Sequence, residues 1–279
     1  MSLFISSLNS GSNGNCYYIG NKNEAVLVDA GISCLETEKR LKKLGLAIEK
    51  IKAIFISHEH NDHISGVAVL AKKYQLPVYI TEGTQQYGKV HVEKKLVNRF
   101  VANEQVFIGD LTITAFKKNH DASDPHSFTI SSNNVKVGVF TDIGIVCPQV
   151  IHHFRQCNAA FLEANYDVEM LANGGYPYFL KKRITDGKGH LSNIQALELF
   201  RKNRAPFMSH LILSHLSKNN NNSELVSNIF NKHAGNTKII VASRNEETSI
   251  YNILAPLKMT GIKIGKVKAK VEQIQLSLF

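Results

Sequence analysis

The chain has 279 residues, 43% hydrophobic and 20% charged, and no run of about 18 apolar residues that would offer a membrane span. The start, MSLFISSLNSGSNGNC, lacks a basic region leading into a long apolar stretch, and Cys16, Cys34, Cys147 and Cys157 lack C-x-x-C spacing. A secretory leader and a disulfide frame are therefore not expected, and a cytoplasmic protein with reduced thiols is. The formal net charge of +10 attracts polyanions, nucleic acid above all.

In chain order, CYYIG (16–20) and AVLVDAG (25–31) read as buried strands around the turn NKNE (21–24). Residues 34–45 carry Leu35, Leu41 and Leu44 at helical spacing, and Gly45 suits the position just past the helix end. KAIFISH (52–58) is an apolar strand, GVAVLAKKYQ (66–75) a helix and PVYI (77–80) a strand. Residues 105–117 read as a hairpin turning at Gly109-Asp110, and 126–142 as another turning at Asn133-Asn134. Then come a strand at 158–164, a helix at 192–203 capped by Ser192, a strand at 210–215, a helix at 223–233 and a strand at 237–243. This order predicts one α/β domain, with strands in two mixed sheets and helices outside.

The polar residues cluster where strands end. FISHEHNDHISG (55–66) sets His58, His60, Asp62 and His63 within six residues. His120 follows LTITAFKKN, Asp142 follows VKVGVFT, and His215 follows HLILS. Imidazole suits zinc, manganese or iron, and a carboxylate suits a bridging position, so these strand ends could together hold a pair of metal ions.

With VDAG carrying Asp29, then HEHNDH, His120, Asp142 and His215 in this order, the chain resembles the metallo-β-lactamase fold family along nearly its whole length. The resemblance implies a four-layer αββα sandwich with a two-metal site, the domain covering 1–260 and a tail 261–279. It implies His58, His60 and His120 on a first divalent ion, zinc or manganese. Asp62, His63 and His215 would hold a second, with Asp142 bridging. Asp29 would support the loop, accepting from its N–H groups without touching metal. A water between two such ions loses its proton near neutral pH, and Asp62 could orient it or take the proton. The fold serves lactams, thioesters, lactones and phosphodiesters, so the ligands alone do not choose a substrate.

Other residues lean toward phosphodiesters. FLEANYD (161–167), GHLSN (189–193) and LSHLSKNNN (214–222) resemble the phosphodiesterase branch, which implies His190 as proton donor to the leaving oxygen and Glu163 as its support. The Gly/Ser/Asn loop at 8–16, with those motifs, resembles a group of small bacterial DNA exonucleases of this fold. It suggests backbone-phosphate contacts at Ser10, Gly11, Asn13 and Asn15, with Lys218 and Asn219. The stretch 120–142 is too short for a substrate-gripping arm, and 142–215 leaves no room for a large cap, so an open basic groove is expected. The final QLSLF resembles the peptide by which bacterial repair proteins dock on the sliding clamp, through Gln275, Leu276, Leu278 and Phe279; packing as a last strand is the other reading. A DNA exonuclease in repair is the reading these features favour. A hydrolase of a small cyclic phosphodiester or thioester, a tRNA- or RNA-processing nuclease, and a non-catalytic nucleic-acid-binding module are its rivals.

Overall fold

The computed structural model describes residues 2–255; the expected clamp peptide at Gln275, Leu276, Leu278 and Phe279 lies outside them. The first sheet takes β1 (Ser2–Asn9), β2 (Cys16–Gly20), β3 (Ala25–Val28), β4 (Ile51–Phe55), β5 (Val78–Tyr79) and β6 (Val97–Asn98) side by side in chain order. The second repeats the scheme with β7 (Gln105–Ile108), β8 (Leu111–Lys117), β9 (His126–Ser132), β10 (Val135–Phe140), β11 (Ala159–Glu163), β12 (His210–Ser214) and β13 (Lys238–Val241). β14 (Tyr251–Leu254) returns to the first sheet and pairs antiparallel with β1. Each sheet begins antiparallel and turns parallel, from β3 onward in the first and from β10 onward in the second.

The parallel strands are apolar on both faces because both faces are covered. Val26, Val28, Ala53 and Phe55 face Ile130, Val137, Val139 and Phe161 across the space between the sheets. The alternate residues Leu27, Ile54 and Ile56 pack under α1 (Cys34–Lys43) and α3 (Val67–Tyr74), through Leu41, Val67 and Leu70. On the far side, Leu162 and Leu213 pack under α5 (Pro148–Phe154), α8 (Asn193–Asn203) and α9 (Ser223–Asn231), through Phe154, Phe200 and Phe230. Helix, sheet, sheet, helix is the expected αββα order. Both expected hairpin turns form, and Ser192 caps α8 with a full capping box to Gln195.

Some elements escaped the sequence. β1 carries buried Ser6, Ser7 and Asn9, which break its apolar alternation; the sheet tolerates Ser6 because its hydroxyl donates to the Thr248 carbonyl at 2.9 Å. The loop expected from residue 8 therefore starts only after Asn9. The short helices α2 (Asn61–Ile64), α4 (Glu82–Tyr87), α6 (Val168–Asn173) and α7 (Tyr178–Thr185) carry too few turns to show a period. The four cysteines form no disulfide, and among the described residues no helix is long and apolar enough to cross a membrane.

Candidate active site

Strand direction gathers the site. β1, β3 and β4 run one way in the first sheet; β8, β10, β11 and β12 share a direction in the second. Their carboxyl ends deliver Asn9 and Ser10, Asp29, Ser57 and His58, then His120, Asp142, Glu163 and His215, to one edge of the sandwich. Three of these residues leave their strands in the left-handed region: Asp29 (φ 61°), Asp142 (φ 55°) and His215 (φ 55°). Such a backbone costs a non-glycine residue about 1–2 kcal/mol, and it turns each side chain back over the strand ends. Gly31 is needed for a different reason: a Cβ there would stand 1.7 Å from the Asp62 carbonyl oxygen, so only glycine lets the Asp29 strand end meet the histidine loop.

The donors form two groups. His58 Nε2 and His120 Nε2 lie 3.0 and 3.3 Å from His60 Nδ1. Donors around a tetrahedral cation held at about 2.0–2.1 Å stand roughly 3.3 Å apart, so this triad has the size of a metal site. In the second group, Asp62 Oδ2 lies 3.3 Å from His215 Nε2 and 3.5 Å from His63 Nε2. Asp142 faces both: Oδ2 is 3.3 Å from His63 Nε2, while Oδ1 is 3.3 Å from His215 Nε2 and 3.9 Å from His120 Nε2. Asp142 Oδ2 is buried without a hydrogen-bond partner, an orphan oxygen that a cation would satisfy. The residue types, spacings and this orphan oxygen all fit divalent metal.

Outer partners fix the rings. Asp29, fully buried, accepts from the Ser57 N–H and hydroxyl, both at 2.8 Å, and from His63 Nδ1 at 2.7 Å. His63 Nε2 is thereby left facing the site. The Ser57 hydroxyl also lies 2.9 Å from His58 Nδ1. His120 Nδ1 donates to the Gly189 carbonyl at 3.0 Å, freeing its Nε2. Burial holds His58 and His120 well below the ordinary imidazole pKa, in the neutral form that binds metal. Burial opposes the charge on His63 too, but Asp142, Asp29 and Asp62 outweigh it and raise its pKa, so cation capture there displaces a proton. For Asp142, burial is outweighed by His215, His63 and Lys118, which keep the carboxyl ionised.

Across the site, His190 Nδ1 lies 3.2 Å from Glu163 Oε1. Glu163 is fully buried, and its oxygens accept from the N–H groups of Leu191 (2.8 Å) and Ile143 (3.0 Å). Burial disfavours the His190 cation, but Glu163, Asp142 and Asp121 outweigh it and raise the pKa. The His190 ring stacks on His215 at 5.1 Å and lines a cleft of about 400 Å³ that also reaches Asp62, Asp142 and His215.

The residues expected on phosphates divide. Ser10 and Asn15 are buried and internally engaged: the Ser10 hydroxyl accepts the His215 N–H at 2.8 Å, and the Asn15 amide donates to Asp62 Oδ2 at 3.1 Å. Gly11 is buried as well. Ser10 and Asn15 brace the candidate ligands His215 and Asp62, and Gly11 donates its N–H to Asn15 Oδ1 at 3.0 Å, so the loop turns inward. Asn13, Lys218 and Asn219 are exposed, next in sequence to Ser12 and Ser217, which line the cleft. Sequence reasoning missed Lys118, buried with its ammonium on the Thr141 carbonyl at 2.7 Å. It missed Asp121, 3.3 Å from His120 Nε2 and held by Arg183 at 2.5 Å. It also missed Arg244, whose guanidinium reaches the Ser12 hydroxyl at 3.2 Å. Lys118 and Asp121 flank His120 in FKKNHD, a local signal; the placement of Arg183 and Arg244 is set only by the fold.

The family model described as the metallo-beta-lactamase superfamily matches residues 10–179. The chain is 37% identical over 230 residues to an exodeoxyribonuclease, YycJ, of Bacillus anthracis, covering 81% of this chain and 86% of that one. It is 36% identical over 225 residues to the exodeoxyribonuclease WalJ of Streptococcus pneumoniae serotype 2, covering 78% and 83%. Among solved structures, the metallo-beta-lactamase fold protein YhfI of Bacillus subtilis superposes with a TM-score of 0.70 at 17% identity, over 90% of this chain and 100% of that one.

Proposed function

The chain belongs to the metallo-β-lactamase superfamily of metal-dependent hydrolases, and from that premise we propose that it is a cytoplasmic exonuclease that cleaves phosphodiester bonds of DNA in repair. We read 1–260 as one catalytic domain. His58, His60 and His120 would hold one divalent cation and Asp62, His63 and His215 the other, with Asp142 facing both groups. Such a pair, zinc or manganese, would supply Lewis acidity, lowering the pKa of water toward neutral and offsetting charge that develops on the phosphoryl group. Asp62 is the one carboxylate of the cage with appreciable access to the cleft, 20% exposed at its side chain. Burial opposes its ionisation, but His63 and His215 outweigh this and hold its pKa below the usual carboxylate range. A carboxylate that acidic orients the attacking water better than it takes its proton.

His190 protonates the departing oxygen. With Nδ1 3.2 Å from Glu163, Nε2 is the atom left to give a proton, and Glu163, with Asp142 and Asp121, raises the pKa of the ring against the effect of burial. This pair is the observation that carries the phosphodiester reading: an imidazole backed by a buried carboxylate beside the candidate metal donors suits a poor alkoxide leaving group that needs a proton. Both Glu163 oxygens are already committed to backbone N–H groups, which favours a supporting role over metal ligation. Asn13, Lys218 and Asn219 contact the backbone phosphates, and the net charge of +10 supports a polyanionic substrate. QLSLF, through Gln275, Leu276, Leu278 and Phe279, tethers the enzyme to the sliding clamp, a reading supported by the sequence alone.

End-labelled DNA incubated with the protein in manganese and in zinc tests the function. Stepwise loss of the label, abolished by chelator and by His190→Ala, is expected. Turnover of a thioester or a small cyclic phosphodiester, with DNA left intact, would overturn the reading.

A further inference from the structure

Helix α7 buries none of its eight residues, yet it carries Tyr178 and Phe179, 79% and 72% exposed. Its other face walls the catalytic cleft with Leu180, Arg183 and Ile184. Lys182 and Arg183 follow the two aromatics four residues on, the spacing that puts helix side chains together. The i, i+4 spacing puts Lys182 on the Tyr178 side of the helix and Arg183 between Phe179 and the cleft. Arg183 holds Asp121 through Nε at 2.5 Å, but its side chain is still 59% exposed, and Lys182 is exposed too.

Two adjacent exposed rings contribute nothing to the core, and on the outer face of a helix that walls the cleft they mark a binding surface. The flanking cations select the occupant. An apolar protein segment would strip water from Lys182 and Arg183 without pairing them. A strand of nucleic acid offers a flat ring to each aromatic and a phosphate to each cation. We propose that α7 is a stacking platform for an unpaired strand at the entrance to the catalytic cleft. Tyr178 and Phe179 stack on its bases, and Lys182 and Arg183 pair with its phosphates. This rests on the nuclease reading and adds that the bases next to the scissile bond are unpaired when bound. A duplex must fray before it reaches His190.

The probe is a fluorescein-labelled single-stranded 12-mer carrying 2-aminopurine, bound in calcium without turnover, with a blunt hairpin as comparison. Wild-type protein should quench the 2-aminopurine. Tyr178→Ala with Phe179→Ala should weaken binding of the single strand about tenfold or more, abolish the quenching, and change hairpin binding less than threefold. Tyr178→Trp with Phe179→Trp should restore both signals, which a damaged fold would not. Equal affinity and quenching in the alanine variant would overturn the platform, as would equal losses on strand and hairpin. If that variant degrades DNA with wild-type kinetics, the platform alone falls. If the wild-type protein neither binds nor degrades DNA, the nuclease reading falls with it.

Discussion

Asp29 touches no substrate, yet its replacement should separate the two halves of the metal cage. The carboxylate receives three hydrogen bonds, from the Ser57 N–H, the Ser57 hydroxyl and His63 Nδ1, all at 2.7–2.8 Å and all buried. In Asp29→Ala the Ser57 hydroxyl can turn to His58 Nδ1, 2.9 Å away, leaving two stranded donors. At 1–3 kcal/mol each, the expected cost is about 2–6 kcal/mol, a large part of a typical net stability. Asp29→Asn is the sharper probe. Its oxygen can still serve the Ser57 N–H, but its amide N–H₂ then meets His63 Nδ1. The ring answers by accepting there and carrying its proton on Nε2, the atom that must bind metal. Loss of such an outer partner costs about 10–100-fold in metal affinity. Metal content after dialysis at fixed free zinc should fall from two equivalents toward one, while urea unfolding shows a smaller loss than the alanine variant. If Asp29→Asn binds both equivalents with wild-type affinity, the proposed role of Asp29 in fixing the His63 tautomer is wrong.

His190→Ala should lower kcat on DNA by about 10²–10⁴-fold with metal content unchanged, measured on end-labelled substrate. Because the raised His190 pKa keeps the acid protonated, activity should hold below that pKa and fall as pH rises through it. Glu163→Gln should move that fall to lower pH, and a pH–rate profile unchanged in the variant would remove Glu163 from the mechanism. His153 lies buried against Phe116, rings stacked at 4.0 Å, and burial, with His152 and Lys136, pushes its pKa down to about 4. Its contribution to stability is complete above the unfolded value near 6.5 and is lost as pH falls from there through about 4. The change is of order 2–3 kcal/mol, and His153→Phe should flatten it in urea titrations at stepped pH. Gly31→Ala should abolish metal binding, read by metal analysis of whatever folded protein is recovered, since its Cβ would meet the Asp62 carbonyl at 1.7 Å.

The convergence of the candidate donors was legible because they follow apolar strands, and strand direction is a property of sequence order. His58, His120, Asp142 and His215 each close a run of buried β residues, and parallel pairing then puts their ends at one edge. The pairing of His190 with Glu163 was readable from a family resemblance, not from periodicity, because β11 and the α8 cap meet only in three dimensions. Ser10 and Asn15 misled for a physical reason. A Gly/Ser/Asn loop has the composition of an anion cradle and equally that of a brace, and only burial against β1 and the Asp62 carboxylate distinguishes them. Helix α7 left no trace in the pattern, since a helix that buries nothing has no apolar stripe to show.

That contrast ties structure to chemistry. A metal site would have to hold its donors to a fraction of an ångström; the candidate donors stand on strand ends packed from both faces, where the sheets over-determine three left-handed residues. Asp29 and Asp142 occupy corresponding places in the two sheets, each leaving the strand at which antiparallel pairing turns parallel. One carboxylate orients a histidine and the other faces both donor groups, so a single backbone device serves both functions. Strand selection requires the opposite: a surface that the core does not need and that can change without disturbing the cage. The exposed face of α7 meets that requirement; its inner side is tied to the site by the His190 N–H on the Ile184 carbonyl at 2.9 Å and by Arg183 on Asp121, which approaches His120 at 3.3 Å. Substitutions on the exposed face of α7 should therefore alter which nucleic acid is bound, and those at the strand ends should alter whether anything is cleaved.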